Sequence, residues 1–374
     1  PLVVSQEYDF DGKLIIGKDK LLGARLVTDG ESTIWFDEQM KAVQKLVDER
    51  LPSTINLVSV PTRAETPWVL VESYSDVQPK VFYLFDTRAK NLRMVGESRP
   101  GIVPAQMGPQ DIVKYKARDG LSIPAWLTLP SGKQRTGLPM VVVVHGGPFV
   151  RGSSWGWNAR SQFLASRGYA VLEPEFRGST GFGWAHFRAG WKQWGMAMQD
   201  DIADGVRWAI AQGIAGPKRI CIVGGSYGGY AALMGLVRDP GLYQCAVNSA
   251  GVTDINLMYD GTWSAGSDMP ERYRKYGMPE LVGDQVRDAA QLAATSPLVQ
   301  AARVRKPLLM VYGEADQRVP LYHGKKFYAE VRKSNPDVEL VTYPMEGHGL
   351  NKPENRIDYW KRVEKFLERH IGKP

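Results

Sequence analysis

The chain has 374 residues, 43% of them hydrophobic and 23% charged, with a formal net charge of +7. That length holds one large domain or two ordinary ones, and that apolar share supplies a full core, which excludes disorder on a large scale. The positive charge is dispersed among acidic residues, as in ERYRK (Glu271 to Lys275), and no apolar run reaches the roughly 20 residues that span a bilayer, so neither nucleic acid nor membrane is expected as a partner.

From residue 1 to about 105 the runs LIIGKD, GARLVT, STIWFD, STINLVSVP, PWVLVESYSD, KVFYLFDT and NLRMVGES follow one another, separated by turn signals such as Asp11-Gly12 and Asp29-Gly30. Short alternating runs between turn residues predict antiparallel strands. A helix over Asp37 to Glu49 is expected on imperfect apolar spacing. The strands suffice for about two four-stranded propeller blades, which cannot close a ring and leave open edges. Arg99 to Gly108, with Pro100, Gly101 and Pro104, reads as a linker, so the chain divides into residues 1–105 and 106–374.

Beyond it the rhythm changes. IVKYKA and LSIPAWLTLP predict a hairpin around Asp119-Gly120. Strands then alternate with helices: MVVVV, SQFLASRG, YAVLEPEF, IADGVRWAIAQG, RICIVGGS, YGGYAALMGLV, CAVNSAG, PLLMVYGEAD, a helix over 322–333, VELVTYPMEG, and a helix over 354–370. Near-continuous apolar strands such as MVVVV belong to a mostly parallel sheet buried on both faces, and the alternation predicts a doubly wound α/β domain. Cys221 and Cys245 lie in such strands and are expected to be free thiols acting as small hydrophobes, since two cysteines make neither a disulfide framework nor a cysteine zinc site. Sparse cysteine suits the cytoplasm, with the periplasm as the alternative if a targeting segment precedes the sequence. The sequence opens at Pro1 without Met, in strand-like residues, so an N-terminal portion is expected to be missing.

Gly224-Gly225-Ser226-Tyr227-Gly228 joins a strand to a helix, the setting of a G-x-S-x-G nucleophile elbow in α/β-hydrolases. The tight turn lifts the hydroxyl to a helix N-terminus, where developing negative charge is favoured. The plain alternative is a glycine-rich turn with an N-cap serine. A P-loop does not fit, because no Lys follows the Ser, and in a dinucleotide fingerprint Ser226 or Tyr227 would block the approach of pyrophosphate. A serine nucleophile needs a base, and this fold orders the three groups as Ser, acid, His. Of His145, His186, His323, His348 and His370, only His348 follows Ser226 in a post-strand loop, flanked by Gly347 and Gly349. His323 reads as a surface residue, His370 as solvated, His186 as packing and His145 as structural. Asp316 ends the PLLMVYGEAD strand and is the preferred acid, with Glu314 as the fallback; capping of the helix after Pro320 is the alternative role for either. The oxyanion hole is assigned to the backbone N–H groups of Tyr227 and of Gly147 in His145-Gly146-Gly147-Pro148. No cofactor or metal ion is expected.

Taken together and in order, HGGPFVRG, FRGSTGFG, GGSYGGYAALMG, GEADQRVP and EGHGL resemble the prolyl oligopeptidase family of serine peptidases, nearest its acylaminoacyl-peptidase-like subgroup. The resemblance implies that Ser226, Asp316 and His348 form a triad and that Arg318 binds a substrate backbone carbonyl near the scissile bond; a salt bridge to Glu314 or a surface position is the alternative for Arg318. It implies that Val252 and Ile255 line the pocket for the side chain before that bond. Arg151 and Arg177 have no assigned role beyond structural ion pairs. The family carries a full β-propeller ahead of the hydrolase domain, and residues 1–105 have room only for its last blades. A trimmed product is the first explanation and a naturally short enzyme the second. The dipeptidyl branch, which holds the substrate amine on acidic residues, is not favoured, because no paired-Glu signal is legible.

The leading expectation is therefore a peptidase acting on short or N-acylated peptides through an acyl-enzyme. A carboxylesterase on the same residues and a non-catalytic binding fragment are the alternatives. Self-association, or association with the missing propeller portion, is expected as a further partner interaction.

Overall fold

The computed structural model describes residues 2–62, 65–132, 135–259 and 266–372; Pro1 lies outside them. The first region forms two small antiparallel sheets. Strands β1 (Gly12–Ile16), β2 (Leu21–Val27) and β3 (Glu31–Trp35) make one. Strands β4 (Ile55–Ser59), β5 (Trp68–Tyr74), β6 (Val81–Asp86) and β7 (Asn91–Glu97) make the other. All seven runs read as strands are strands, but the first sheet has three where a full blade would need four. Between the sheets lies α1 (Glu38–Arg50), whose N-cap Asp37 accepts the Met40 N–H at 3.0 Å. Its Met40, Val43 and Val47, spaced for one helical face, pack on Trp35, Val58, Val71 and Phe85.

The second region is one eight-stranded sheet in the order β15-β14-β13-β12-β10-β11-β9-β8. The antiparallel hairpin of β8 (Gln110–Lys116) and β9 (Ser122–Thr128) turns at Asp119-Gly120 and forms one edge. The parallel strands are β10 (Leu138–Val144), β11 (Ala170–Pro174), β12 (Ala215–Gly225), β13 (Cys245–Ser249), β14 (Leu308–Gly313) and β15 (Val338–Tyr343). Helices cover both faces: α2 (Ala159–Ser166), α3 (Trp184–Ala189), α4 (Ala197–Ala211), α5 (Tyr227–Arg238), the short α6 (Met278–Leu281) and α7 (Ala289–Ala294), α8 (Leu321–Val331) and α9 (Pro353–Ile371).

Strand periodicity divides the core. Val142 of β10 and Ile222 of β12 face Ile202 of α4, Leu233 of α5 and Phe327 of α8. Val141 and Val143 face the other way, toward Leu164 of α2 and Val363, Phe366 and Leu367 of α9. Every residue of β10 is consequently buried, as its unbroken apolar sequence requires.

The two regions are tied by polar contacts. The Gln162 side chain on α2 donates to the carbonyls of Asp76 and Gly108, at 2.9 and 2.8 Å, and Asp76 accepts the Gln110 N–H at 2.9 Å. Among the described residues Arg151 has no ion pair of the kind expected of it. Its guanidinium donates to the carbonyls of Ser153 and Thr28 and lies over the Phe182 ring, joining the first sheet to the loop after β11. Arg177 does form ion pairs, with Asp201 at 2.7 Å and Asp119 at 2.7 Å.

The cysteines correct an expectation. Cys221 and Cys245 are register partners on adjacent parallel strands, 4.9 Å apart at Cα, and are joined as a disulfide. Both were legible as buried strand residues; that their side chains meet depends on β12 and β13 being neighbours in register, which spacing along the chain does not encode.

Candidate active site

The carboxyl ends of the parallel strands all open on one edge of the sheet, where ligands bind in open α/β sheets. Ser226 follows β12 directly and has φ +57°, ψ −122°, a left-handed conformation that a non-glycine residue rarely holds. Its N–H donates to the Ser249 carbonyl at 2.9 Å, which locks the turn onto β13. Gly228, the second residue of α5, touches the end of β10 so closely that a Cβ there would lie 2.0 Å from the Val144 oxygen. The fourth and fifth residues of GGSYG are thus set by packing: Gly228 by contact with β10, and Tyr227 by a fully buried ring among Phe176, Trp194 and Tyr230. Burial pushes the Tyr227 phenol far above its ordinary range.

The loop after β10 runs past the serine. A Cβ on Gly146 would stand 3.3 Å from the Ser226 Cβ, and Gly147 follows with φ +118°. His145 is turned away: its Nε2 faces the Ser179 hydroxyl at 3.0 Å and its ring stacks on Phe176.

Asp316 lies three residues beyond β14, with its side chain wholly buried. One carboxylate oxygen accepts the N–H groups of Arg318 and Val319, at 2.8 and 2.9 Å, and the other accepts from His348 Nδ1 at 2.8 Å. With both oxygens engaged the carboxylate cannot swing, and an Nδ1–H bound to it leaves Nε2 as the basic nitrogen of a neutral imidazole. His348 itself sits in the loop after β15, its side chain a quarter exposed. That loop is held by Glu346, which accepts the N–H groups of Asn351 and Lys352 and the Asn355 amide. These bonds, that of Asn351 foremost, hold the Glu346 carboxyl below its usual range. The Glu346 carbonyl also accepts the Ala315 N–H at 2.9 Å, coupling the histidine loop to the aspartate loop. A cavity of about 280 Å³ lies behind all three loops, lined by Gly225, Gly313, Gly347 and Gly349, the residues that precede or flank Ser226, Asp316 and His348.

Glu314 points elsewhere, accepting the Thr342 hydroxyl at 2.7 Å, and it does not meet Arg318. Arg318 pairs with Asp268, which lies in the chain between β13 and α6. No periodicity or motif marks Asp268 in the sequence. Val252 and Ile255 follow β13 and are buried in the large core, at 3% and 0% exposure. His323, read as a surface residue, is instead fully buried against Thr253, because α8 packs that face onto β14. His370 is half-buried on Phe366, and His186 is buried on the carbonyls of Glu175 and Phe176. Among the described residues no group of three or more His, Cys, Asp or Glu is arranged to hold a metal ion.

Sheet order, elbow and loop placement together define an α/β-hydrolase. The chain belongs to the prolyl oligopeptidase family, whose model matches residues 155–374. It is 35% identical over 328 residues to dipeptidyl aminopeptidase BIII of Pseudoxanthomonas mexicana, covering 84% of this chain and 46% of that protein. It is 28% identical over 331 residues to the human acylamino-acid-releasing enzyme, covering 86% of this chain and 41% of that one. Among solved structures, the Pyrococcus horikoshii acylaminoacyl peptidase shares the fold with a TM-score of 0.73 at 21% identity, over 97% of this chain and 55% of the other. A puromycin hydrolase does so with a TM-score of 0.76 at 22% identity, over 99% and 56%. The chain spans less than half the length of these two sequence relatives.

Proposed function

We propose that the chain is a serine peptidase that hydrolyses short or N-acylated peptides through an acyl-enzyme. Residues 106–374 form its catalytic domain and residues 1–105 a partial propeller-like domain. The observation that carries the reading is the Asp316–His348 bond of 2.8 Å at the same sheet edge as a strained Ser226. In this reading His348 Nε2 takes the Ser226 proton as Oγ attacks the peptide carbonyl. The oxyanion then forms against the N–H groups of Tyr227 and Gly147. The imidazolium, stabilised by Asp316, gives its proton to the leaving amine, and water repeats the sequence on the acyl-enzyme. Arg318 holds a substrate carbonyl near the scissile bond, and Val252 and Ile255 form the apolar floor beneath the preceding side chain. No cofactor takes part.

The relatives carry two names, dipeptidyl aminopeptidase and acylamino-acid-releasing enzyme, so the state of the substrate's amino terminus is the open choice. A matched panel decides it: free dipeptidyl p-nitroanilides, N-acetylaminoacyl p-nitroanilides and p-nitrophenyl esters, together with fluorophosphonate labelling. Labelling at Ser226 with faster turnover of the acetylated series is the expected result. Ester cleavage with no peptide turnover would make the protein an esterase, and a folded chain that does not label would make it a binding fragment.

No helix among the described residues is long and apolar enough to cross a membrane. The low cysteine count favours a cytoplasmic setting and the Cys221–Cys245 pairing an oxidising one such as the periplasm, which cell fractionation resolves. Self-association or docking of a further propeller portion completes the proposed interactions, with sedimentation as the check.

A further inference from the structure

Both carboxylate oxygens of Asp268 meet the Arg318 guanidinium. Oδ2 accepts from Nη2 at 2.9 Å and Oδ1 accepts from Nε. The Arg318 backbone N–H donates to Asp316, so the same residue is tied at its main chain to the proposed catalytic acid and at its head to Asp268. Arg318 pairing holds the Asp268 carboxyl below the usual carboxylate range, and the nearby His348 acts in the same direction. Asp268 is therefore ionised at neutral pH, where it faces the guanidinium. The two side chains are 39% and 45% exposed, for Arg318 and Asp268 respectively. An ion pair that open contributes little to stability, because water and salt screen it. Its effect falls instead on what Arg318 does.

We infer that Asp268 is a positioning and specificity-determining residue for Arg318: its carboxylate fixes the guanidinium by a two-point fork and cancels its charge, so that the site receives a neutral peptide carbonyl and turns away acidic groups. The inference rests on the reading of Arg318 as a peptide clamp. A guanidinium carries five N–H donors in one plane, and the fork to Asp268 engages two, which orients the whole plane. A carbonyl is a dipole, and it accepts a hydrogen bond from a charge-compensated guanidinium almost as well as from a bare one. A substrate carboxylate differs: without Asp268 it would be drawn to the guanidinium by its full charge, and with Asp268 present it meets a like charge in the same place. The arrangement selects by cancellation, at the cost of overall attraction.

The test compares two peptides that differ only in Glu or Gln at the residue before the one whose carbonyl is cleaved, each with a p-nitroanilide leaving group. The readout is the ratio of kcat/KM for the Glu peptide to that for the Gln peptide on one preparation, a ratio that does not depend on the fraction of enzyme folded. Asp268→Asn should raise this ratio about fivefold or more at low salt, mainly through KM, with the gain fading toward 0.5 M salt, as expected for a partly exposed charge. Asp268→Glu should keep the wild-type ratio, and Arg318→Ala in the Asp268→Asn background should abolish the gain. If Arg318→Ala alone cuts peptide turnover while Asp268→Asn leaves the ratio within twofold of wild type, the inference falls and the clamp stands. If Arg318→Ala leaves peptide turnover intact, the clamp reading fails and takes the inference with it.

Discussion

The two small sheets and the eight-stranded sheet bury their apolar side chains by different means. In β5 burial alternates along the strand, and the shared core of the small sheets is a single cluster around Val47, Val58, Val71 and Phe85. Their outer strands β1 and β7 leave Leu14, Ile16, Met94 and Val95 exposed. The eight-stranded sheet is covered on both faces, and its strands β10, β11 and β14 are buried along their whole length. Strained loops persist only where their surroundings over-determine them. The left-handed Ser226 and the paired Asp316 and His348 all sit on the sheet with two covered faces. The small-sheet region offers the Thr28 and Asp76 carbonyls to Arg151 and Gln162, but none of the proposed catalytic groups.

That division can be broken by experiment, beginning with the largest effect. Ser226→Ala should lower turnover by about a million-fold, the scale for loss of a serine nucleophile, while the melting curve keeps its position. Residual activity above that level would place the nucleophile elsewhere. In the other region, Phe85→Ala removes a fully buried ring from a small core and should cost about 3–5 kcal/mol of that region's stability. Calorimetry should resolve a separate transition for that region that moves down in the variant, with fluorophosphonate labelling of Ser226 at 25 °C unchanged. Loss of labelling in step with that transition would mean that the two regions fold as one unit and the comparison fails.

Arg318→Ala sharpens the same contrast within the catalytic region. It should reduce kcat/KM on peptides by about 10- to 100-fold, the scale of a lost orienting contact, and on a p-nitrophenyl ester by far less. Equal losses on both would remove the clamp role.

The smallest effect concerns the hairpin edge. Pairing with Arg177 holds the Asp119 carboxyl below its ordinary range. A carboxyl lowered on folding adds stability above its unfolded pKa, and that stability is lost as pH falls through the folded value. The difference in melting temperature between wild type and Asp119→Asn should therefore be constant from pH 5 to 8 and shrink below about pH 4, where an ordinary Asp protonates. A difference that grows in acid would contradict the sign of the pairing.

Much of this molecule was legible from the residues. The seven strands of the first region, the helix after Asp37 and the alternating β/α order came from local periodicity and caps, which act over a few residues. Gly-x-Ser-x-Gly, the order Ser226, Asp316, His348, and the post-strand place of each were equally open to reading, because an elbow needs a strand before it and a helix after it. What the chain alone did not reveal depends on distant segments meeting. Cys221 and Cys245 pair because β12 and β13 are register neighbours. His323 is buried because α8 turns that face onto β14. Arg318 finds Asp268 and not Glu314 because Glu314 leans toward Thr342 while Asp268, fifty residues away in the chain, reaches the guanidinium. Periodicity and capping are short-range preferences written into neighbouring residues. Which charge faces which, and which histidine is dry, are settled only when the sheet closes and brings segments fifty residues apart into contact.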